Sequence, residues 1–158
     1  MHAEFESLSL PELADRLEDL DGRRTPVGWT PEDAAERASV ERCILGLIAR
    51  DPDGDSSRLE CNLEITLRNK EFAVRAVVRS LGPGGAWVDT TDSWIRGTHV
   101  EMIVRSDDTE EHGLRVRGIV EQVERGRVRV SVAEQPSEAH ERRLRRFVLD
   151  VIRHRLHN

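Results

Sequence analysis

From Leu59 onward the apolar residues recur at every second position, and this change of period limits the folds open to the chain more than any other feature. Leu59, Cys61, Leu63, Ile65 and Leu67 alternate with Glu60, Asn62, Glu64, Thr66 and Arg68, the pattern of a half-buried strand. The alternation returns in Phe72, Val74, Ala76 and Val78, then briefly in Ala86-Trp87-Val88. It recurs in Val100, Met102 and Val104, with Ile103 on the opposite face, in Leu114, Val116, Gly118 and Val120, and in Val128, Val130 and Val132. The connections are short or polar: Arg68-Asn69-Lys70, Arg96-Gly97, a hydrophilic loop from Ser106 to Gly113, and the hairpin-type turn Glu124-Arg125-Gly126. Six short strands with no helix between them predict an antiparallel barrel or sandwich.

The residues before Leu59 have the helical period. Ser9-Leu10-Pro11-Glu12 has capping-box spacing, and Leu8 and Leu13 stand where a hydrophobic staple would close. Leu10, Leu13, Ala14, Leu17 and Leu20 form one stripe, which Asp21-Gly22 ends. A second helix starts at the N-cap Thr30 with Pro31 in its first position, and Glu32 and Asp33 suit its positive end. Ala34, Ala35, Ala38, Ile44, Leu45, Leu47 and Ile48 carry it to about Arg50, and Gly46 weakens it. Asp51 to Ser57 is a run of turn formers that separates a helical extension, residues 1–55, from the barrel, residues 56–158. After Pro136-Ser137 a last helix places Leu144, Phe147, Val148, Val151, Ile152 and Leu156 on one face. Arg142, Arg143, Arg145, Arg146 and Arg153 largely mark its other face.

With 158 residues, 37% hydrophobic and 34% charged, the sequence is that of a soluble globular protein, and no apolar run approaches the ~20 residues that span a bilayer. The first six residues are acidic and lack the order of a secretory signal, so the cytoplasm is the expected compartment. Cys43 and Cys61 are read as a reduced, buried pair. A net charge of −6 argues against bulk attraction to nucleic acid or anionic membrane. No nucleophile–base pair, phosphate loop or zinc-binding helix occurs, so an enzyme is not expected.

Between the second and third strands stands Ser80-Leu81-Gly82-Pro83-Gly84-Gly85-Ala86-Trp87-Val88, with three glycines and a proline in four positions. Such a stretch is either a tight corner that needs positive φ or the floor of a binding site. Trp87, Pro83 and Gly84 are the candidates for contact with a protein partner, since tryptophan is enriched at interface hot spots.

Six strands, a glycine-rich turn after the second and a closing amphipathic helix resemble the PilZ domain over residues ~58–155. Gly84-Gly85-Ala86-Trp87-Val88, Gly97 before a strand and Gly118-Ile119-Val120 are family-like. The resemblance implies a small bacterial β-barrel, so the fold class is α+β: a six-stranded antiparallel PilZ-like barrel with a helical N-terminal extension and a C-terminal helix. Many members bind cyclic di-GMP through R-x-x-x-R before the first strand and D/N-x-S-x-x-G after the second. Aligned on Gly85, the D/N position falls on Ser80 and the serine on Gly82. Arg58 stands for the second arginine, while the first falls on Gly54 and the nearest other arginine is Arg50. A dianionic dinucleotide needs guanidinium forks that glycine cannot imitate. These ligand positions are therefore degenerate, and neither cyclic di-GMP nor any other cofactor is expected.

By resemblance, such members act through protein partners in bacterial motility, type IV pilus or polarity complexes. The leading expectation is a non-enzymatic cytoplasmic adaptor, with a homodimer left open. One alternative is a cyclic di-GMP receptor using Arg58 and Arg50 at a non-standard site; another is a nucleic-acid-binding barrel using Arg125, Arg127 and Arg129. A metal held by His154 and His157 lacks a third ligand, and the Asp51, Asp53 and Asp55 run lacks the closing glutamate of a calcium loop.

Overall fold

The computed structural model describes Phe5 and residues 7–50, 58–104, 114–132 and 137–156. The Ser106–Gly113 loop, the Asp51, Asp53 and Asp55 run, Gly54, Pro136 and His157 fall outside these residues or run beyond them. The element order is α1 (Leu10–Asp21), α2 (Pro31–Ile48), β1 (Leu59–Arg68), β2 (Ala73–Gly82), β3 (Gly85–Asp89), β4 (His99–Val104), β5 (Leu114–Glu124), β6 (Arg127–Ser131) and α3 (Glu138–Arg153). All strand pairs are antiparallel, and the order β1-β2-β3-β6-β5-β4 closes into a barrel. This is the architecture that the alternation and the resemblance implied.

Local signals account for the helix starts. Glu12 N donates to Ser9 Oγ at 3.3 Å and Ser9 N donates to the Glu12 carboxylate at 3.0 Å, so the capping box is complete. Asp33 N donates to Thr30 Oγ1 at 3.1 Å, and His140 N to Ser137 Oγ at 3.1 Å. α1 buries the whole stripe from Leu10 to Leu20. α2 departs from expectation: Ala34, Ala35 and Ala38 are exposed, and its buried line is Val40, Ile44 and Ile48. Alanine gains little from burial, so the larger branched side chains decide which face turns inward. Leu156 was expected on the apolar face of α3, but the helix ends at Arg153 and Leu156 is half exposed.

β1 shows why the chain turns there. It pairs with β4 only over Thr66–Arg68, which leaves the edge of its first half open. The tail after α3 closes that edge: Asn62 N donates to His154 O at 3.0 Å and Leu156 N to Glu60 O at 2.9 Å. Arg155 in this tail pairs with Asp15 at 2.6 Å and Glu18 at 2.9 Å, which ties α1 to the same edge. α2 packs on α1 and touches α3 and β2. One apolar core runs through all three helices and the barrel. The two cysteines are not joined by a disulfide; Cys61 is fully buried, whereas Cys43 is only half-buried.

Candidate functional site

The glycine stretch is shorter as a loop than its letters suggest. β2 runs on to Gly82 and β3 begins at Gly85, and the two pair in register through Ser80–Trp87, Leu81–Ala86 and Gly82–Gly85. Only Pro83 and Gly84 remain as a two-residue turn. Proline fixes φ at its first position and Gly84, at φ +88°, takes the left-handed second one, the signature of a type II turn. Leu81 through Ala86 are all buried.

What fills the corner is Arg58, placed directly before β1 and therefore alongside the end of β2. Its Nε donates to Ser80 Oγ at 2.9 Å, one terminal nitrogen to Pro83 O at 3.1 Å and the other to Gly85 O at 2.8 Å. Arg129 of β6 donates to the remaining carbonyl, Gly84 O, at 2.7 Å. Two guanidinium groups thus satisfy three consecutive turn carbonyls, which buried backbone acceptors require.

The glycines make room for this. A Cβ on Gly82 would stand 2.9 to 3.1 Å from atoms of the Arg58 side chain. One on Gly85, where φ is +108°, would stand 2.1 Å from Val130 O of β6. Gly118 does the same for β5: a Cβ there would lie 2.5 Å from Val130 Cγ1 and 2.7 Å from Ser131 O. Gly85 and Gly118 are thus glycine for a packing reason, the close approach of β6.

The corner is cationic. Burial, with Arg129 and then Arg127 nearby, pulls the Arg58 guanidinium down to about 10. Among the described residues no carboxylate pairs with Arg58 or Arg129, while Arg127 pairs with Glu124 at 2.7 Å. Arg127 also lies over the ring of Trp87, 4.5 Å from its centroid, so Trp87 is half-buried at the rim of the corner.

The residues singled out by sequence fall as follows. Arg58, Ser80, Gly82, Pro83, Gly84 and Gly85 come together in one knot. Trp87 borders it, and Arg50 is exposed beyond the last turn of α2. Arg125 sits in the β5–β6 turn, Arg127 turns to Trp87 and Glu124, and Arg129 to Gly84 O. What sequence reading missed is the place of Arg129, which it set on a basic strand face and which instead donates to the glycine turn. The available signal was its place opposite Trp87, which only the β3–β6 register reveals. His154 is engaged through Nδ1 with Asp150 O at 2.8 Å, and no group of three potential metal ligands occurs among the described residues. Nor is any helix among them long and apolar enough to cross a membrane.

No family model matches the chain, and no curated protein does. Among solved structures it is similar to the PilZ domain of CeSA from a cellulose-synthesizing bacterium, at 19% identity and a TM-score of 0.49, over 60% of this chain and 96% of that one.

Proposed function

We propose that this chain is a non-enzymatic regulatory adaptor of the PilZ-like kind, working by protein–protein contact in the cytoplasm and without cyclic di-GMP. The observation that carries this reading is that the chain's own arginines occupy the glycine corner. Arg58 already spends three of its five N–H donors on Ser80, Pro83 and Gly85, and the turn they brace is buried. A dinucleotide entering there would have to replace those bonds, and no aspartate or asparagine stands at Ser80 to read its base.

What the corner offers outward is Trp87 under Arg127, next to a groove of about 790 Å³ lined by Glu64, Arg75, Asp89 and Arg127. An aromatic anchor beside a surface of mixed charge suits a protein partner. The resemblance implies complexes controlling bacterial motility, type IV pili or polarity. Affinity capture from the native bacterium should retain the same partners on wild-type protein and lose them on Trp87→Ala. Undiminished capture by that variant removes this surface.

A specific observation favours a second reading, a cyclic di-GMP receptor with a non-standard site. Among the described residues Arg58 and Arg129 converge without a carboxylate, and only three of the five Arg58 donors have an acceptor. Calorimetric titration separates the two. No saturable heat at micromolar dinucleotide is expected, and micromolar binding that Arg58→Ala abolishes would overturn the adaptor reading.

A further inference from the structure

A second concave site lies away from the glycine corner, and none of the corner's residues lines it. The register places Arg68 of β1, Glu101 of β4 and Arg117 of β5 side by side across three strands. Below this row the β1–β2 turn brings in Lys70, β4 brings in His99, and the start of α3 brings in Ser137 and His140. Together they border a cleft of about 930 Å³, a volume typical of small-molecule sites.

Among the described residues its charge is unbalanced in one direction. Glu101 is neutralised by its ion pair with Arg68. Among the described residues neither Lys70 nor Arg117 has a carboxylate partner, and both are exposed on the cleft. This concentration of cations stands on a chain whose net charge is −6, so it is local and not a property of the whole surface. The frame around it is fixed. Asn69 Oδ1 accepts from Glu71 N and Phe72 N, each at 2.8 Å, which holds the turn carrying Lys70. His140 Nε2 lies 3.3 Å from Val132 O, which holds the imidazole at the cleft wall.

We propose that this cleft binds a small, multiply charged oxyanion, a phosphorylated or polycarboxylate metabolite without a nucleobase. The guanidinium fork of Arg117 and the ammonium of Lys70, both on the cleft lining, are the donors that such a group needs. The only apolar side chain among the described lining is that of Val100, and no Phe or Trp lines it to stack on a base.

Lys70 is the only lysine of the chain, so amine acylation read by mass spectrometry reports on this cleft alone beside the N-terminal amine. The full chain is acylated at physiological ionic strength with and without pyrophosphate, and in parallel with citrate; the two arms distinguish phosphate from carboxylate ligands. Saturable protection of Lys70 by at least one anion is expected, with the N-terminal amine unchanged. Arg117→Gln should raise the half-protecting concentration about tenfold or more, the loss of one charged hydrogen bond. Arg127→Gln, at the glycine corner, should leave it within about twofold if binding is local. No protection by either anion, the same protection in Arg117→Gln, or equal weakening in Arg127→Gln overturns the proposal. Arg117 is exposed, so that variant is expected to fold normally.

Discussion

Replacing Arg58 by methionine keeps an apolar stem and removes the head that braces the glycine corner. Three hydrogen bonds vanish, to Ser80 Oγ, Pro83 O and Gly85 O. Ser80 is half exposed and can turn to water, so the cost falls on the two carbonyls of a buried turn. Each buried acceptor left without a donor costs about 1–3 kcal/mol. Part is recovered, because burial works against the cation itself, as its depression to about 10 shows. A net loss of about 2–4 kcal/mol remains, which in a domain of this size lowers Tm by roughly 5–12 °C. Arg79→Met is the control: Arg79 pairs with Asp89 at 2.7 Å, both half exposed, and such surface pairs contribute about 0–1 kcal/mol. Gly82→Ala supplies the coupling test. Its Cβ would press on the Arg58 head at 2.9 Å, so it should destabilise the wild type and cost clearly less in the Arg58→Met background. Urea and thermal melts followed by circular dichroism measure the wild type and the four variants. If Arg58→Met melts like Arg79→Met, or if the Gly82 cost is unchanged without Arg58, the corner does not depend on this arginine.

Gly85→Ala and Gly97→Ala, compared by thermal melts, should separate backbone strain from close approach. Both have positive φ, +108° and +92°, but only at Gly85 would a Cβ meet backbone, Val130 O at 2.1 Å. Gly97→Ala should cost about 1–3 kcal/mol and Gly85→Ala clearly more; equal losses would refute the packing role of Gly85. Cys61 is fully buried, its thiol donates to Val78 O at 3.3 Å, and burial pushes it up to about 12 from 9.0. The folded state therefore holds this proton longer than the unfolded one. The associated stability is complete below pH 9 and is lost as pH rises from there through about 12. Melts at pH 8 and pH 10 should show a larger decline for the wild type than for Cys61→Ala, and at pH 8 a thiol reagent should modify Cys43 well before Cys61. Parallel declines or equal labelling would count against a buried thiol.

How much of this was legible depended on whether the deciding interaction was local. Ser9 with Glu12, Thr30 before Pro31, and the Leu59–Leu67 alternation are each specified within a few residues, and each appears as read. The faces of α2 were not legible in the same way, because its alanines match the helical period as well as Val40, Ile44 and Ile48 do. Asp150 is buried on the apolar side of α3, and burial raises its carboxyl above the ordinary range. Its charge concealed that it falls three residues after Phe147 on the inward line. The candidate site was legible in its glycines and in Arg58. Arg129 was not, since the alternation of Arg127 and Arg129 is also that of a solvated strand face. Only the pairing of β6 with β3, distant in sequence, places it on Gly84 O.

The position of Arg58 depends on more than its own strand. It precedes the half of β1 that lacks β4 as a neighbour, and that edge is completed by backbone from His154 and Leu156. The residue between them, Arg155, has its side chain almost buried between Asp15 and Glu18 of α1. Three pieces of chain far apart in sequence therefore meet at the foot of the glycine corner. An open edge there would leave Asn62 N and Glu60 O without partners and offer them to another strand. The helical extension is thus tied to the barrel through the C-terminal tail, along the strand that Arg58 precedes. The partner proposed for Trp87 would meet a corner that Arg58 and Arg129 already brace, so its affinity need not cover the cost of ordering the turn.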